Sequence, residues 1–266
     1  MKSCLMPLAA SLLLLTLAGG PLRAGWRELA TLEEANEMVA AFAGLPLRGI
    51  PPALLRDARG VAVIPGVIKA GLLVGGRFGR GVVLARKPDG TWGDPVFVTL
   101  AGGGLGLQAG VQSADVVLVF KTGHSLDRVL NGGGKLTLGG DAGVAAGPVG
   151  RQAEAATDGQ LRAEIYSYSR SRGLFAGVSL EGAGILINYD ADEAFYNLRG
   201  GHPADIMAVR PAPPPAENLK CQLARLSTPG VAPCPPPMLG PPEPVVVPSV
   251  PPAPPPPPAS PIPQPR

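Results

Sequence analysis

From Gly60 to Tyr196 the chain is a series of apolar segments so studded with glycine that none settles into helical spacing. It opens GVAVIPGVIKAGLLVGGRFGRGVVLAR at Gly60, continues PVFVTLAGGGLGLQAGVQSADVVLVF from Pro95, and closes AEIYSYSRSRGLFAGVSLEGAGILINYD from Ala163. Glycine costs a helix about 1 kcal/mol relative to alanine, so this density argues for strands. Much of it falls at alternate positions. Gly71, Gly75, Gly79 and Gly81 share a parity with Lys69 and Arg77, while Leu72, Val74, Phe78, Val82 and Leu84 occupy the other. A period of two puts each set on its own face of a strand. One face is expected to pack a core. The other is stripped of side chains, as where a backbone, a helix or a ligand must come close.

Around this centre the composition changes twice. Lys2 followed by the short apolar run Leu8 to Ala18 reads as an export signal, cut after Ala24. The run is far shorter than the roughly 20 apolar residues that span a bilayer. From Pro211 onward proline takes over: 23 of the 33 prolines lie between Pro211 and Pro265, a composition expected to be extended or disordered. The division is therefore a signal peptide over 1–24, a helical part over 25–58, a β-rich core over 59–198 and a proline-rich disordered tail over 199–266. Export makes the product periplasmic or secreted. Once the signal is removed only Cys221 and Cys234 remain, and in an oxidising compartment they either pair or stay as separate thiols.

Thr31 to Leu45 predicts an amphipathic helix, with Thr31 and Glu34 at capping-box spacing and Leu32, Ala35, Met38, Val39 and Phe42 on one face. A short helix is predicted from Pro52 to Ala58 and one or two helical turns from Ser125 to Leu130. Lys87-Pro88-Asp89-Gly90 reads as a turn between strands, and Arg151 to Gln160 as a hairpin or loop. Strands that follow one another without long crossover helices favour α+β: a glycine-rich antiparallel sheet, curved or barrel-like, covered by the N-terminal helices.

Signatures of catalysis fail on context. Gly104-Leu105-Gly106-Leu107-Gln108-Ala109 fits a dinucleotide fingerprint, but a strand over Asp115 to Phe120 leaves no room for the helix that must receive the pyrophosphate. The stretch Gly177 to Gly182 is one residue too long for a nucleophile elbow. His124, Ser125 and Asp127 are neighbours along a turn, whereas a triad converges from separate elements. His202 is the only other histidine, and no cluster of metal ligands accompanies either. The reading is a non-enzyme with no cofactor, no metal and no catalytic residue. A net charge of +3 with scattered basic residues and few aromatics speaks against nucleic acid. A transmembrane β-barrel is disfavoured by two tryphophans and a glycine-bearing face where aromatic girdles and a lipid-facing apolar band are needed.

Spaced motifs carry a resemblance. Ala62-x-x-Pro65, Lys69-Ala70-Gly71, Gly75-Gly76-x-x-Gly79-x-Gly81-Val82, Gly90-x-Trp92-x-x-Pro95, Gly110-x-Gln112-x-x-Asp115, Gly147-Pro148-x-Gly150-Arg151 and Tyr166-Ser167-Tyr168-Ser169 run in the order of the SYLF domain. The region from Arg27 to Tyr196 resembles that family, the actin-patch protein domain. The resemblance implies a lipid-binding module, for phosphoinositides in eukaryotic members and phospholipids in bacterial ones, with actin binding in some relatives. For an exported chain actin is not the expected partner; anionic phospholipids or a membrane surface are. Lys69 and Arg77 are the first choices for lipid contact, since alternation places them on the glycine-bearing face where a phosphate meets cations and backbone donors together. Arg80, Arg86 and Lys87 follow. Asp115 and Gln108 are expected to satisfy backbone groups among the strands. The alternative function is a structural or adhesion-type envelope protein whose sheet binds another protein and whose tail is a spacer.

Overall fold

The structure is a computed structural model that describes residues 24–44, 50–71, 74–105, 110–131, 133, 135–147, 163–171, 180, 182–206, 213–228, 230 and 234. The signal segment 1–23, the Gly106–Ala109 part of the dinucleotide-like motif with Gln108, and the expected loop Arg151 to Gln160 lie outside these residues.

Eight strands form one sheet: β1 (Gly60–Gly71), β2 (Val74–Ala85), β3 (Val96–Leu105), β4 (Gly110–Phe120), β5 (Lys135–Thr137), β6 (Val144–Ala146), β7 (Ile165–Ser171) and β8 (Ala183–Ile187). Their order is β5-β8-β3-β2-β1-β4-β7-β6, and the sheet curls into a half-barrel. The α+β, curved-sheet expectation holds. Its antiparallel part needs one amendment, because β6 pairs with β7 in parallel. A parallel pair needs a crossover of a dozen or more residues, and the chain between Ala146 and Ile165 is long enough to supply it.

The sharpest bend lies in β1. Its pairing with β2 slips between Val63 and Ile68, and its pairing with β4 slips between Ile64 and Val67. Pro65 and Gly66 occupy this bulge, and Gly66 has φ +55°, a left-handed conformation that glycine adopts without steric cost. The Gly66 amide, taken off the ladder, donates to Asp115 Oδ1 at 3.1 Å, while Asp115 Oδ2 pairs with Arg170 at 3.2 Å. Asp115 thus satisfies a backbone group, as its position suggested.

Helices cover both faces of the sheet at one end. α1 (Ala24–Ala43) buries Leu32, Ala35, Met38, Val39 and Phe42, the stripe its periodicity predicts. It starts earlier than the Thr31–Glu34 box implies: Thr31 is inside the helix, its hydroxyl donating to Arg27 O at 2.9 Å. α2 (Pro52–Asp57) and α3 (Gly123–Leu130) fall where expected, and the Thr122 side chain caps α3 by accepting from Ser125 N. α4 (Tyr189–Tyr196) packs Phe195 edge-on against Phe97 with centroids 5.2 Å apart. α5 (Pro203–Ile206) is a single turn. Phe97 and Gly60 belong to opposite faces of the sheet by register, and a side chain added at Gly60 would meet Leu126 of α3 at 2.7 Å. The α1–α4 group and α3 therefore sandwich the sheet.

The tail does not begin where the prolines do. α6 (Pro214–Ser227) is a 14-residue helix that buries Ala216, Leu219 and Leu223, against the expectation of an extended or disordered segment from 199 onward. Prolines at the first helical positions cost nothing there, because those amides have no intrahelical partner, and the residues after Pro215 are ordinary helix formers with an apolar stripe. α6 lies along α1, where Asn36 Nδ2 donates to Pro215 O at 2.9 Å and Gln222 Nε2 donates to Asn36 Oδ1 at 2.9 Å. Cys221 on this helix is joined to Cys234 by a disulfide. Pro211, Pro229, Pro233 and the prolines from 235 onward lie outside the described residues.

Candidate functional site

The first two lipid-contact candidates meet. The β1–β2 register sets Lys69 directly opposite Arg77, and directly paired residues of neighbouring antiparallel strands share a face. Arg77 in turn faces Gly102 on β3, and Lys69 faces Gln112 on β4. Two cations side by side would repel in a dry interior; here Lys69 is exposed and Arg77 half-buried. Arg80 is nearby on the opposite face, its guanidinium 5.9 Å from the centre of the Phe78 ring.

The glycine-bearing face is not one continuous slot. A Cβ at Gly79 would lie 2.8 Å from a Val67 methyl, and one at Gly81 would strike Val63 O and come within 2.7 Å of Ile64 Cα. These glycines receive the bulged backbone of β1, so the chain itself fills the space read as open to a ligand. On the same face a Cβ at Gly102, opposite Arg77, would lie 2.8 Å from Ala183 Cα. Open space lies instead on the reverse face, where a Cβ at Gly76 or Gly103 would find its nearest neighbour 3.9 Å away. Lys69 and Arg77 stand at this end of the sheet, the open end, with Lys69 exposed.

Arg86 and Lys87 do not join them. They lie at the other end of β2, about 30 Å along the strand from Arg77 at the usual rise per residue. Arg86 is spent on the fold: Nε donates to Ala58 O at 3.0 Å, one terminal nitrogen to Leu55 O at 2.8 Å, and the other to Gly90 O at 2.6 Å. Its guanidinium also lies over the Trp92 ring, 4.2 Å from the centroid. It ties α2 to the β2–β3 turn and has no geometry for a lipid headgroup. Lys87 lines a separate cleft of about 370 Å³ with Trp92, Glu217, Lys220 and Cys221, between that turn and α6.

The open end also carries what alternation assigned to the core. Phe78 shares its face with Val82 and Leu84, which are fully buried, yet is 47% exposed. The strands run past the helices, so the same parity is covered at one end and bare at the other. Ile68, opposite Phe78, is 50% exposed, and Val111, opposite Ala70, is 76% exposed. The only hint in the sequence was the strand length: β1 and β2 have 12 residues each, more than the covering helices reach.

At the covered end, buried polar groups lock helices to strand β3. Asp192 of α4, fully buried, accepts the Phe97 amide at 2.8 Å, and burial pushes its carboxyl pKa up to about 8 against the opposing pull of that hydrogen bond. The Tyr196 hydroxyl donates to Pro95 O at 2.6 Å. Among the described residues there is no group of three or more His, Cys, Asp or Glu arranged to hold a metal, and no helix is long and apolar enough to cross a membrane.

Comparison with known proteins turns this architecture into a family. Residues 101–226 match the Ysc84 family, described as Las17-binding protein actin regulator. The chain carries a Ysc84 domain. This is the SYLF family that the spaced motifs resemble. The match runs to residue 226, in the last turn of α6, so the helix hidden in the proline-rich region falls almost wholly within the matched region. LAS seventeen-binding protein 3 of Saccharomyces cerevisiae is 41% identical over 169 residues, 63% of this chain and 36% of the relative. Protein YSC84 of the same yeast is 44% identical over 149 residues, 55% of the chain and 31% of the relative. SH3 domain-containing YSC84-like protein 1 of Xenopus laevis is 43% identical over 151 residues, covering 57% and 44%. The chain thus spans less than half the length of these relatives. No solved structure matches it.

Proposed function

We propose that this Ysc84 domain is a non-enzymatic binding module that attaches to anionic phospholipid surfaces through the open end of its sheet, in an exported protein. The observation that carries the reading is the adjacency of Lys69 and Arg77 across β1–β2 at the open end of the sheet, with Lys69 exposed and Arg77 half-buried. A phosphate arriving there meets two cations on neighbouring strands. Each Lys or Arg near an anionic leaflet contributes about 1 kcal/mol, so a small cluster gives reversible, salt-sensitive attachment. The Cys221–Cys234 disulfide supports export, since such bonds persist in oxidising compartments, and a periplasmic or secreted location agrees with the signal-like N terminus.

Vesicle flotation of the full chain tests this. The expected result is recovery with vesicles containing phosphatidylglycerol, little with phosphatidylcholine alone, and loss of binding at 1 M salt, where screening acts within about 3 Å. Lys69→Glu with Arg77→Glu is expected to abolish flotation. Unaltered flotation of that double variant would remove these residues from the site, and no flotation on any lipid would remove the function.

The names of the relatives favour a second reading, a protein partner. One is called a LAS seventeen-binding protein and the family is described as an actin regulator. On that reading the open end docks a protein of the envelope, as a structural or adhesion-type module would. Capture of a defined protein by the wild-type chain, lost in the charge-reversed variant and accompanied by no flotation, would favour it.

A further inference from the structure

Ile68, Phe78 and Val111 form one exposed apolar surface. Ile68 pairs with Phe78 across β1–β2, and Ala70, two residues on from Ile68, pairs with Val111 across β1–β4. Pairing and a period of two put all three side chains on the same face. Ala70, Gly76, Ala101 and Gly103 lie between and beside them in the same register, so nothing bulky or charged interrupts the surface. Arg80, two residues from Phe78 on that face, borders it with its guanidinium against the Phe78 ring. Lys69 and Arg77 lie on the reverse face of the same strand ends.

Such a surface is unusual for a soluble face. Large apolar side chains left 47–76% exposed together mark a place where something else covers them. A second copy of the chain offers Arg80 little counter-charge from this face, whose nearby carboxylate, Asp115, is already paired with Arg170 at 3.2 Å. A bilayer offers what the residues ask for: hydrocarbon for three side chains and anionic headgroups for cations at the level just above. Basic side chains around an apolar tip snorkel to that level.

We propose that the open end of the sheet penetrates the lipid bilayer, with Ile68, Phe78 and Val111 below the headgroups and Lys69, Arg77 and Arg80 among them. This rests on the lipid reading above and deepens it, from electrostatic attachment to partial insertion.

The test places a reporter at the tip. Phe78→Trp in a chain also carrying Trp26→Phe leaves the buried Trp92 as the only other indole, so the emission gained over the Trp26→Phe parent reports position 78. Vesicles containing phosphatidylglycerol are expected to shift that emission to the blue, and lipids brominated on the acyl chain to quench it at least twofold. Ile68→Ser and Val111→Ser are each expected to weaken vesicle binding roughly tenfold, as loss of one buried apolar side chain does, with an unchanged melting temperature because neither side chain is in the core. Vesicles that bind the chain while position 78 keeps an aqueous spectrum would overturn insertion and leave the electrostatic reading standing. Absence of vesicle binding by the unaltered chain would overturn both. Sedimentation showing a dimer that Ile68→Ser dissolves would assign the surface to a second copy and overturn insertion.

Discussion

Lys220 Nζ lies 2.6 Å from Asp94 Oδ1, an ion pair between α6 and the start of β3 whose carboxylate side is wholly shielded from water. The same ammonium also reaches Glu217 Oε1 at 2.8 Å. The pair joins residues 126 positions apart and ties the helix beyond the β-rich core to the start of β3.

Removing one partner leaves the other charge buried. Lys220→Met is therefore expected to destabilise the domain by about 3 kcal/mol or more, whereas Lys220→Met with Asp94→Asn costs markedly less. Urea denaturation of both variants measures the difference. Equal losses would show that the buried carboxylate is satisfied without the lysine.

The two classes of glycine should separate cleanly. Gly81→Ala forces a methyl into Val63 O and to within 2.7 Å of Ile64 Cα, both backbone, so it is expected to cost more than about 3 kcal/mol or prevent folding. Gly76→Ala meets nothing closer than 3.9 Å and is expected to stay within about 1 kcal/mol of the parent. Thermal melts of the two variants decide it.

Arg86→Lys is not a conservative change here. Lysine keeps the charge but cannot serve the carbonyls of Ala58, Leu55 and Gly90 together or stack on Trp92. A loss of about 2–4 kcal/mol is expected from two lost charged-donor hydrogen bonds. Vesicle binding at a temperature where the variant remains folded should be unchanged, since Arg86 is remote from the open end. A drop in binding at full folding would return Arg86 to the site.

Asp192 predicts a pH dependence. Its carboxyl is raised from 3.8 to about 8 in the folded chain, so between those values the folded state holds a proton that the unfolded state has released. The stabilisation is complete below about pH 4 and is lost as pH rises towards 8, with a slope of up to about 1.4 kcal/mol per pH unit from this group. Asp192→Asn keeps an oxygen for the Phe97 amide and should flatten that stretch of the stability–pH curve while raising stability at pH 8. Identical curves for parent and variant would place the Asp192 carboxylate in its charged form throughout.

Local patterns carried much of this fold. The α1 stripe from Leu32 to Phe42, the strand character of the glycine-rich segments and the placement of Lys69 and Arg77 on one face were all legible, because each follows from short-range periodicity. Asp115 was legible as a group that satisfies backbone. The pattern misled where burial depends on what lies above a strand. Phe78 has the parity of Val82 and Leu84 and is exposed only because the covering helices end before it. Arg86 looked like one more surface cation, and nothing near it in sequence announces the carbonyls of α2. Composition misled at α6, where prolines at the first turn concealed an amphipathic helix.

The sequence by itself determined the strand-rich core, the family, and the common face of Lys69 and Arg77, since periodicity and motif spacing are short-range properties of the chain; their direct pairing came from the β1–β2 register. Only the tertiary structure decided which glycines admit the protein's own backbone and which stay open, that Arg86 belongs to the scaffold, and that Ile68, Phe78 and Val111 face outward. Those outcomes follow from the β1 bulge at Pro65-Gly66 and from the reach of helices packed against it. Contacts between residues far apart in the chain, not spacing within a segment, determine whether a given surface is filled or bare.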